Sequence, residues 1–527
     1  MENENPIALS PLANALVKVA KYKSNTTYEP KISVNRLVSE VASWYEKLRN
    51  SMELSDDAVI LKNAIERILK RRLLLGGTGE KAAEPLLREL VWARYFPDNS
   101  LPQSFVGKVA KIIDLYLELK HKIVSQKNEI PEMTVNAWIL EFISSEIAIF
   151  LNPNPDREAM CNFMYHILRE DIYIKDDSVE TKNVQVYLSV RKSFAKDDLA
   201  FLRFYLFKQL SPELSVSNLD EIAKSFGNIY KEINKQLNYK LSDKIYVYVK
   251  RQTPVFLVLE DVIKNHKNRL SELLLDDNEL GKIVIGICNR KYENIKQKVR
   301  NAIVRSVIFI LLTKVIFAFA VEGTYDKVTL GYIQWNSFII NIVIPPSLMI
   351  LASFFIKTPN MENSMKIFEK IKSVLYEENP SLSHTLTLTL NPKKTWSILS
   401  VVFTVLWLAT FILSFGLIIW ILTKLHFSIV SEGIFVFFIA IVSFLTYRIN
   451  LTAHSYTIDR KQGMLTPLID ILFLPIVKVG MALTDGISQI NILIFIFDFL
   501  IESPFKTIFS FFEQLFSYLH TKTEDIE

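Results

Sequence analysis

The side chains from which a metal or nucleophilic centre would be built are few and scattered. Seven histidines lie one by one at positions 121, 166, 266, 384, 426, 454 and 520, and the two cysteines are Cys161 and Cys288. No His-Glu-x-x-His segment sets two ligands on one helical face, and no Gly-x-Ser-x-Gly elbow presents a nucleophile. Cys161 and His166 are five positions apart, a spacing that turns helical side chains away from each other. Two distant cysteines support neither a disulfide framework nor a zinc site, and they suit a reduced, cytoplasmic setting. The run Gly76, Gly77, Thr78, Gly79, Glu80, Lys81 is the one glycine-rich loop, and successive backbone N–H groups there could cradle an anion. It lacks the phosphate-loop spacing and follows a helix instead of a strand, so a cap and turn is the expected role. No catalytic, cofactor-binding or metal-ligating residue is expected, and the chain does not read as an enzyme.

Lys314 is different, because it sits inside an apolar run. At 1.5 Å per residue it lies roughly 16 Å from one end of residues 303–321 and about 10 Å from the other, too deep for its ammonium to reach water easily. An ionisable side chain at such depth faces a protein interior or a wet cavity and needs a partner. The partners considered are Glu432, at the start of a later apolar run, and Asp470, Asp485 and Asp498 beyond it. A structural ion pair is the preferred role, with transport or binding as the alternative.

The elements that must position Lys314 are four apolar runs, residues 303–321, 337–356, 397–423 and 430–447, each long enough or nearly so to cross the roughly 30 Å core of a bilayer. Charge thins at the same seam. Residues 1–300 hold 45 Lys+Arg and 40 Asp+Glu, and residues 301–527 hold 16 of each. Basic residues near the ends of the runs alternate. Arg290, Lys291, Lys296, Lys298 and Arg300 precede the first, and only Lys327 separates the first two. Lys357, Lys366, Lys370, Lys372, Lys393 and Lys394 separate the second and third, Lys424 the last pair, and Arg448, Arg460 and Lys461 follow. That alternation expects both termini in the cytoplasm of a multi-pass cell-membrane protein. No cleavable leader is expected from the acidic Met1–Pro6 segment.

The first 300 residues carry apolar stripes at helical spacing. They run through Val34 to Leu48, Leu61 to Leu69, Leu86 to Val91, Val109 to Ile123 and Leu219 to Ile233. The expected fold class is therefore all-α, with a large helical cytoplasmic head in two subdomains, 1–150 and 151–300. A transmembrane bundle at 301–450 and an apolar interfacial or re-entrant region at 451–527 follow. The prolines of Leu151–Asp156 mark a subdomain boundary or a sharp turn. Residues 184–190 alternate like a strand but have no clear partner strand and stay an ambiguous element, and the pattern from Glu279 runs as helix into the first span. Met361 to Leu375 and Phe505 to Leu519 are amphipathic and expected either at the membrane interface or against the head. Residues 464–501 are apolar but interrupted, so half-buried helices are preferred there over two further spans.

The 85 interspersed charges of the head form no basic stripe, so nucleic acid is not an expected partner. Glycine-poor spans without an inverted repeat argue against a transporter. The expectation is a membrane-anchored scaffold or protein-interaction component, whose partners are the lipid bilayer and a protein bound by the head. A small-solute or ion transporter using Lys314 is the alternative.

Overall fold

A computed structural model describes residues 9–20, 30–34, 46, 56–73, 77–126, 130–329, 331–332, 335–382, 384–390, 398–458 and 473–483. Among the described residues the fold is all-α apart from one pair of short strands. Described residues within Met1–Leu275 and Lys372–Leu390 form one compact unit, and those within Asp276–Ile371 and Asn391–Phe497 form a second.

In the first unit the helices are α1 (Pro11–Ala20), α2 (Asp57–Leu73), α3 (Gly79–Trp92), α4 (Ser104–Ser125), α5 (Glu132–Leu151) and α6 (Pro155–Leu168). Strand β1 (Ile172–Lys175) follows, then α7 (Val179–Val190), α8 (Leu199–Leu210), α9 (Leu219–Leu237) and α10 (Ser242–Asn265). The amphipathic stripes become the core. Ile65, Leu69, Leu86, Leu87, Val109, Ile113, Leu119, Ile222, Phe226 and Ile233 are all fully buried. Helix α5 packs into that core along much of its length. Its Phe142 stacks on Phe207 at 4.7 Å between ring centroids, and Trp138 meets Tyr230 at 4.6 Å. The Leu151–Asp156 prolines make a sharp turn: α5 ends at Leu151, and Asn154 caps α6 by accepting from Arg157 N–H.

Residues 184–190, which alternate like a strand, are helical. Ser178 caps α7 by accepting from Thr181 N–H at 3.1 Å, so the helix is nucleated before the alternation begins. Most of its last turn is buried, including Gln185, Val186, Leu188, Ser189 and Val190, and a helix buried all round cannot be told from a strand by apolar spacing. The real strand pair is β1 with β2 (Leu386–Thr389), parallel with Ile172 opposite Leu386, and it joins segments more than 200 positions apart.

Glycine is required at the α3 start. A Cβ on Gly79 would lie 2.2 Å from the Ala110 carbonyl oxygen, and the Gly79 N–H donates to Asp114 Oδ1 at 2.6 Å. The helix N-terminus in this glycine-rich run therefore already holds a carboxylate, one supplied by the chain itself.

The second unit opens with α11 (Asp277–Phe317), 41 residues in one continuous helix, as the pattern from Glu279 predicts. Its first half buries one stripe through Leu280, Val284, Ile287, Cys288, Tyr292, Ile295 and Val299. Its second half exposes Val304, Ile308, Phe309, Leu311, Leu312 and Ile316. A π-turn at Ala318–Glu322 leads into α12 (Gly323–Thr329), and then come α13 (Trp335–Ser353), α14 (Met361–Tyr376, which belongs to the first unit from Lys372 on), α15 (Ile398–Lys424) and α16 (Ile429–Ala453). Among the described residues four helices are long and apolar enough to cross a membrane: Glu132–Leu151, Asp277–Thr329, Val401–Lys424 and Ile429–Ala453. The expected span 337–356 appears as the shorter apolar helix Phe338–Ser353, and the core helix α5 is an addition that the sequence reading does not make.

Two amphipathic segments were expected. On α14, Ile367, Ile371, Val374 and Leu375 are buried against protein while Met361 and Met365 stay exposed. The second, Phe505–Leu519, lies outside the described residues. Of the interrupted region 464–501, residues 473–483 are described and are helical. They pack closely on α16, since a Cβ on Gly480 would lie 2.0 Å from the Ala440 carbonyl oxygen.

Candidate functional site

A buried polar cluster of the second unit forms around Lys314. Its side chain is fully buried, and Nζ donates to Glu322 Oε1 at 3.0 Å while lying 4.7 Å from the centre of the Phe438 ring. Glu322 is 1% exposed. Its second oxygen, Oε2, accepts from Asn341 Nδ2 at 2.5 Å, and the same amide nitrogen lies 3.4 Å from the Ser431 carbonyl oxygen. The Glu322 carboxylate thereby joins α11 with its π-turn to α13, and the Asn341 amide carries the link on to α16.

The π-turn explains why these groups meet. In a regular α-helix, residues eight apart are about 80° out of line. Five residues of π-turn, at roughly 4.4 per turn, remove most of that offset and bring Glu322 onto the Lys314 face. Aromatic packing holds the seam closed, with Phe317 against Phe438 at 5.7 Å and Phe319 against Phe338 at 5.1 Å between ring centroids. In such apolar surroundings an unpaired ammonium would cost several kcal/mol, so the ion pair and the ring face are what make burial of Lys314 tolerable.

Glu432, the first partner considered for Lys314, is engaged elsewhere. It is half-buried in the first turn of α16, accepts from Thr423 Oγ1 at 2.7 Å, and follows the cap at Ser428. A carboxylate there complements the helix N-terminus. Asp470, Asp485 and Asp498 lie outside the described residues. Glu322 and Asn341 are the partners that sequence reasoning missed. Glu322 stands just past the end of the apolar run 303–321, and Asn341 is a lone amide inside 337–356; both are visible as polar residues at span depth, but the π-turn that unites them with Lys314 has no spacing signature.

Two further groups lie in the same region. Asp326 follows Glu322 by one helical turn and is 4% exposed. Its Oδ1 is buried without a hydrogen-bond partner among the described residues, as is Asn341 Oδ1.

The first unit has its own buried charge centre, at the π-turn Arg191–Ala195. Arg191 donates from Nε to Asp197 Oδ2 at 2.5 Å and from Nη1 to Glu158 Oε2 at 2.6 Å, and its guanidinium lies 3.8 Å from the Tyr205 ring centre. Arg157 donates to Asp56 and to the carbonyls of Phe194 and Ala195, each carbonyl at 3.2 Å, capping the turn. The chain leaves through Lys196 in the left-handed region at φ 62°. Cys161 lies against this centre, and burial pushes its thiol up to about 12. It is therefore a thiol at neutral pH and not a nucleophile. His166, half-buried beside Tyr165, takes no part in this network.

Both centres are built around opposed charges in direct contact, an arrangement that joins neighbouring elements. Comparison with protein-family models, with curated protein sequences and with solved structures finds no match for this chain.

Proposed function

We propose that the chain is a multi-pass integral membrane protein of the cell membrane, in which the second unit anchors and the first unit works as a protein-interaction module. Both termini lie in the cytoplasm in this reading, with the bilayer as one partner, a protein bound by the first unit as the other, and nucleic acid as neither. The observation that carries it is the contrast in surface. The second half of α11 and most of α15 present large apolar side chains outward, among them Phe309, Leu312, Phe403, Val405, Leu408, Ile412 and Trp420. Such continuous apolar surface on helices of span length is what lipid contact requires. The paired state of Lys314 supports anchoring over transport, because its charge is already matched inside the bundle.

Three measurements test this reading. The chain is expected to stay in the membrane pellet after alkaline carbonate extraction, and the first unit to resist external protease in right-side-out vesicles. Crosslinking in native membranes is expected to join the first unit to a defined protein, and to lose it when surface residues of that unit are exchanged. Release by carbonate, digestion from outside, or absence of any specific crosslink would each overturn the corresponding part.

The alternative, transport of a small solute or ion, is favoured by one observation, an ion pair buried at span depth. Lys314→Leu separates the two readings in reconstituted vesicles. Loss of a solute flux while the protein still inserts would favour transport.

A further inference from the structure

Folding of the first unit gathers basic side chains that lie far apart in the sequence. Lys192, in the π-turn Arg191–Ala195, places its ammonium 4.8 Å from the centre of the Tyr246 ring, and Lys250, one turn beyond that tyrosine on α10, places its own 5.5 Å from the same ring. Two cations at those distances from one ring are separated by no more than roughly the 10 Å Debye length of 0.1 M salt, so their fields add. Lys196 follows the turn and is exposed; neighbouring chain removes part of its water, and this together with the charge of Lys250 holds its ammonium below the usual lysine value. The acids around the turn are already engaged, Asp197 and Glu158 by Arg191, Asp56 by Arg157 and Asp198 by Lys62. Among the described residues none of Lys192, Lys196 and Lys250 has a carboxylate within ion-pair distance. Of the exposed residues in the first half of α10, Lys244, Lys250 and Arg251 are basic, Val247 is apolar and Asp243 alone is acidic. The result is an exposed patch of unmatched positive charge built on one ring and one turn.

We propose that this patch docks on the anionic headgroups of the membrane that anchors the chain. Magnitude decides between a lipid surface and an acidic protein. Each basic residue held near an anionic leaflet multiplies binding by about five, and an exposed ion pair with a protein carboxylate contributes no more than that. Three lysines together then give roughly a hundredfold, which would hold a freely diffusing acidic partner only at about 10 mM. A bilayer carried by the same chain needs no tighter contact. Helix α10 ends at Asn265 and the long helix α11 begins at Asp277, so a short tether keeps the lipid surface at high effective concentration. Lysine suits such a surface, because a flexible point charge can follow headgroups that diffuse. A fixed phosphate pocket would instead use the planar fork of arginine or a nest of backbone N–H groups. Because docking of this kind needs the second unit in a bilayer, it rests on the anchoring proposed above.

The test places the full-length protein in nanodiscs of phosphatidylcholine alone, or with phosphatidylserine as about a third of the lipid. Both leaflets of a disc are alike, so sidedness does not enter. A short pulse of an amine-acylating ester, read by peptide mass spectrometry, is expected to modify Lys192, Lys196 and Lys250 about fivefold more slowly in the anionic discs. At 1 M salt, where the Debye length falls to about 3 Å, the two kinds of disc are expected to give equal rates. Lys111 on α4 and Lys224 on α9, both exposed, are expected to react alike in both discs throughout. With Lys192→Gln and Lys250→Gln combined, both at exposed positions, Lys196 is expected to lose most of its protection. Absence of slowing, or equal slowing at Lys111 and Lys224, overturns the proposal, as does protection of Lys196 that survives the double change. Phosphoserine that reproduces the protection in neutral discs would give the patch to a soluble phosphate, and a glutamate-rich peptide that does so would give it to an acidic protein; either result overturns the lipid assignment. A chain that does not enter the discs overturns the anchoring and the docking with it, whereas an inserted chain with unprotected lysines overturns the docking alone.

Discussion

Helix α5 and helix α15 are both long and apolar enough to cross a membrane, yet they meet opposite surroundings. In α5, 56% of the apolar stretch is buried by other helices of the first unit, and in α15 only 11% of the corresponding stretch is covered. Their polar residues show why. Glu141 of α5 is bound by Arg203 at 2.8 Å, and Glu146 accepts from Tyr116 at 2.6 Å, so neighbouring helices are needed to complete it. On α15, Thr410 and Ser414 donate their hydroxyls to carbonyls of their own helix, and Thr423 donates both to such a carbonyl and to Glu432 of α16. Charges in mid-helix with partners on other elements mark a core helix; hydroxyls returned to carbonyls of their own helix suit an apolar solvent. Length and hydropathy do not separate the two, whereas the placement of carboxylates does.

The largest expected effect breaks the comparison directly. Ile143 is fully buried in α5 and Ile412 is 69% exposed on α15. Ile143→Arg is expected to abolish the folded first unit, read as loss of protease-resistant fragments from it. Ile412→Arg is expected to leave those fragments intact and to lower insertion, by about 2.5–3.5 kcal/mol in an insertion assay for a charge at a helix centre. Equal behaviour of the two variants would erase the distinction.

Breaking either buried charge centre comes next. Glu322→Leu leaves Lys314 without its carboxylate, and a loss of about 3–5 kcal/mol in unfolding free energy is expected. Adding Lys314→Leu to it is expected to recover most of that, since two apolar side chains replace the pair. In the first unit Arg191→Met strands the buried Asp197, with a similar loss expected in denaturant melts. A double change at positions 314 and 322 no better than the single one would show that the pair is not what holds these helices.

Phe142→Ala is expected to cost about 3–5 kcal/mol, because its ring packs against Trp138, Phe204 and Phe207. Phe403→Ala on α15, where the side chain is 61% exposed, is expected to change stability in detergent by well under about 1 kcal/mol.

The smallest effect concerns reactivity. Burial raises the Cys161 thiol to about 12, so the fraction present as thiolate at pH 8 falls to roughly one in ten thousand. Iodoacetamide is expected to leave Cys161 unmodified in the folded protein and to label it fully in denaturant. Rapid labelling of the native chain would show that the α6 face is open.

Much of this was legible in the sequence, for a physical reason. Stripes such as Val109, Ile113, Tyr116, Leu119 and Ile123 are buried as their spacing predicts, because one-sided burial leaves a helical period in the residues. The long helix from Asp277 was legible on the same ground. Where a helix is covered on most sides, as at Val184–Val190, the period fades, and the residues read as ambiguous between helix and strand. The pairing of β1 with β2 could not be read either, since four-residue strands so far apart carry no mutual signal. At the candidate site, Lys314 was legible as a costly charge that needs a partner. Its partner was not, because a π-turn shifts the phase of the helix and brings an i+8 residue where i+4 or i+7 would be sought.

In the proposed reading α5 is a core helix of the first unit while α15 and α16 face lipid. Photolabelling of native membranes with a lipid-soluble carbene reagent, followed by peptide mapping, tests it most directly. Label is expected in residues 401–424 and 429–453 and absent from residues 132–151; strong labelling of 132–151, or none in 401–424, would contradict it.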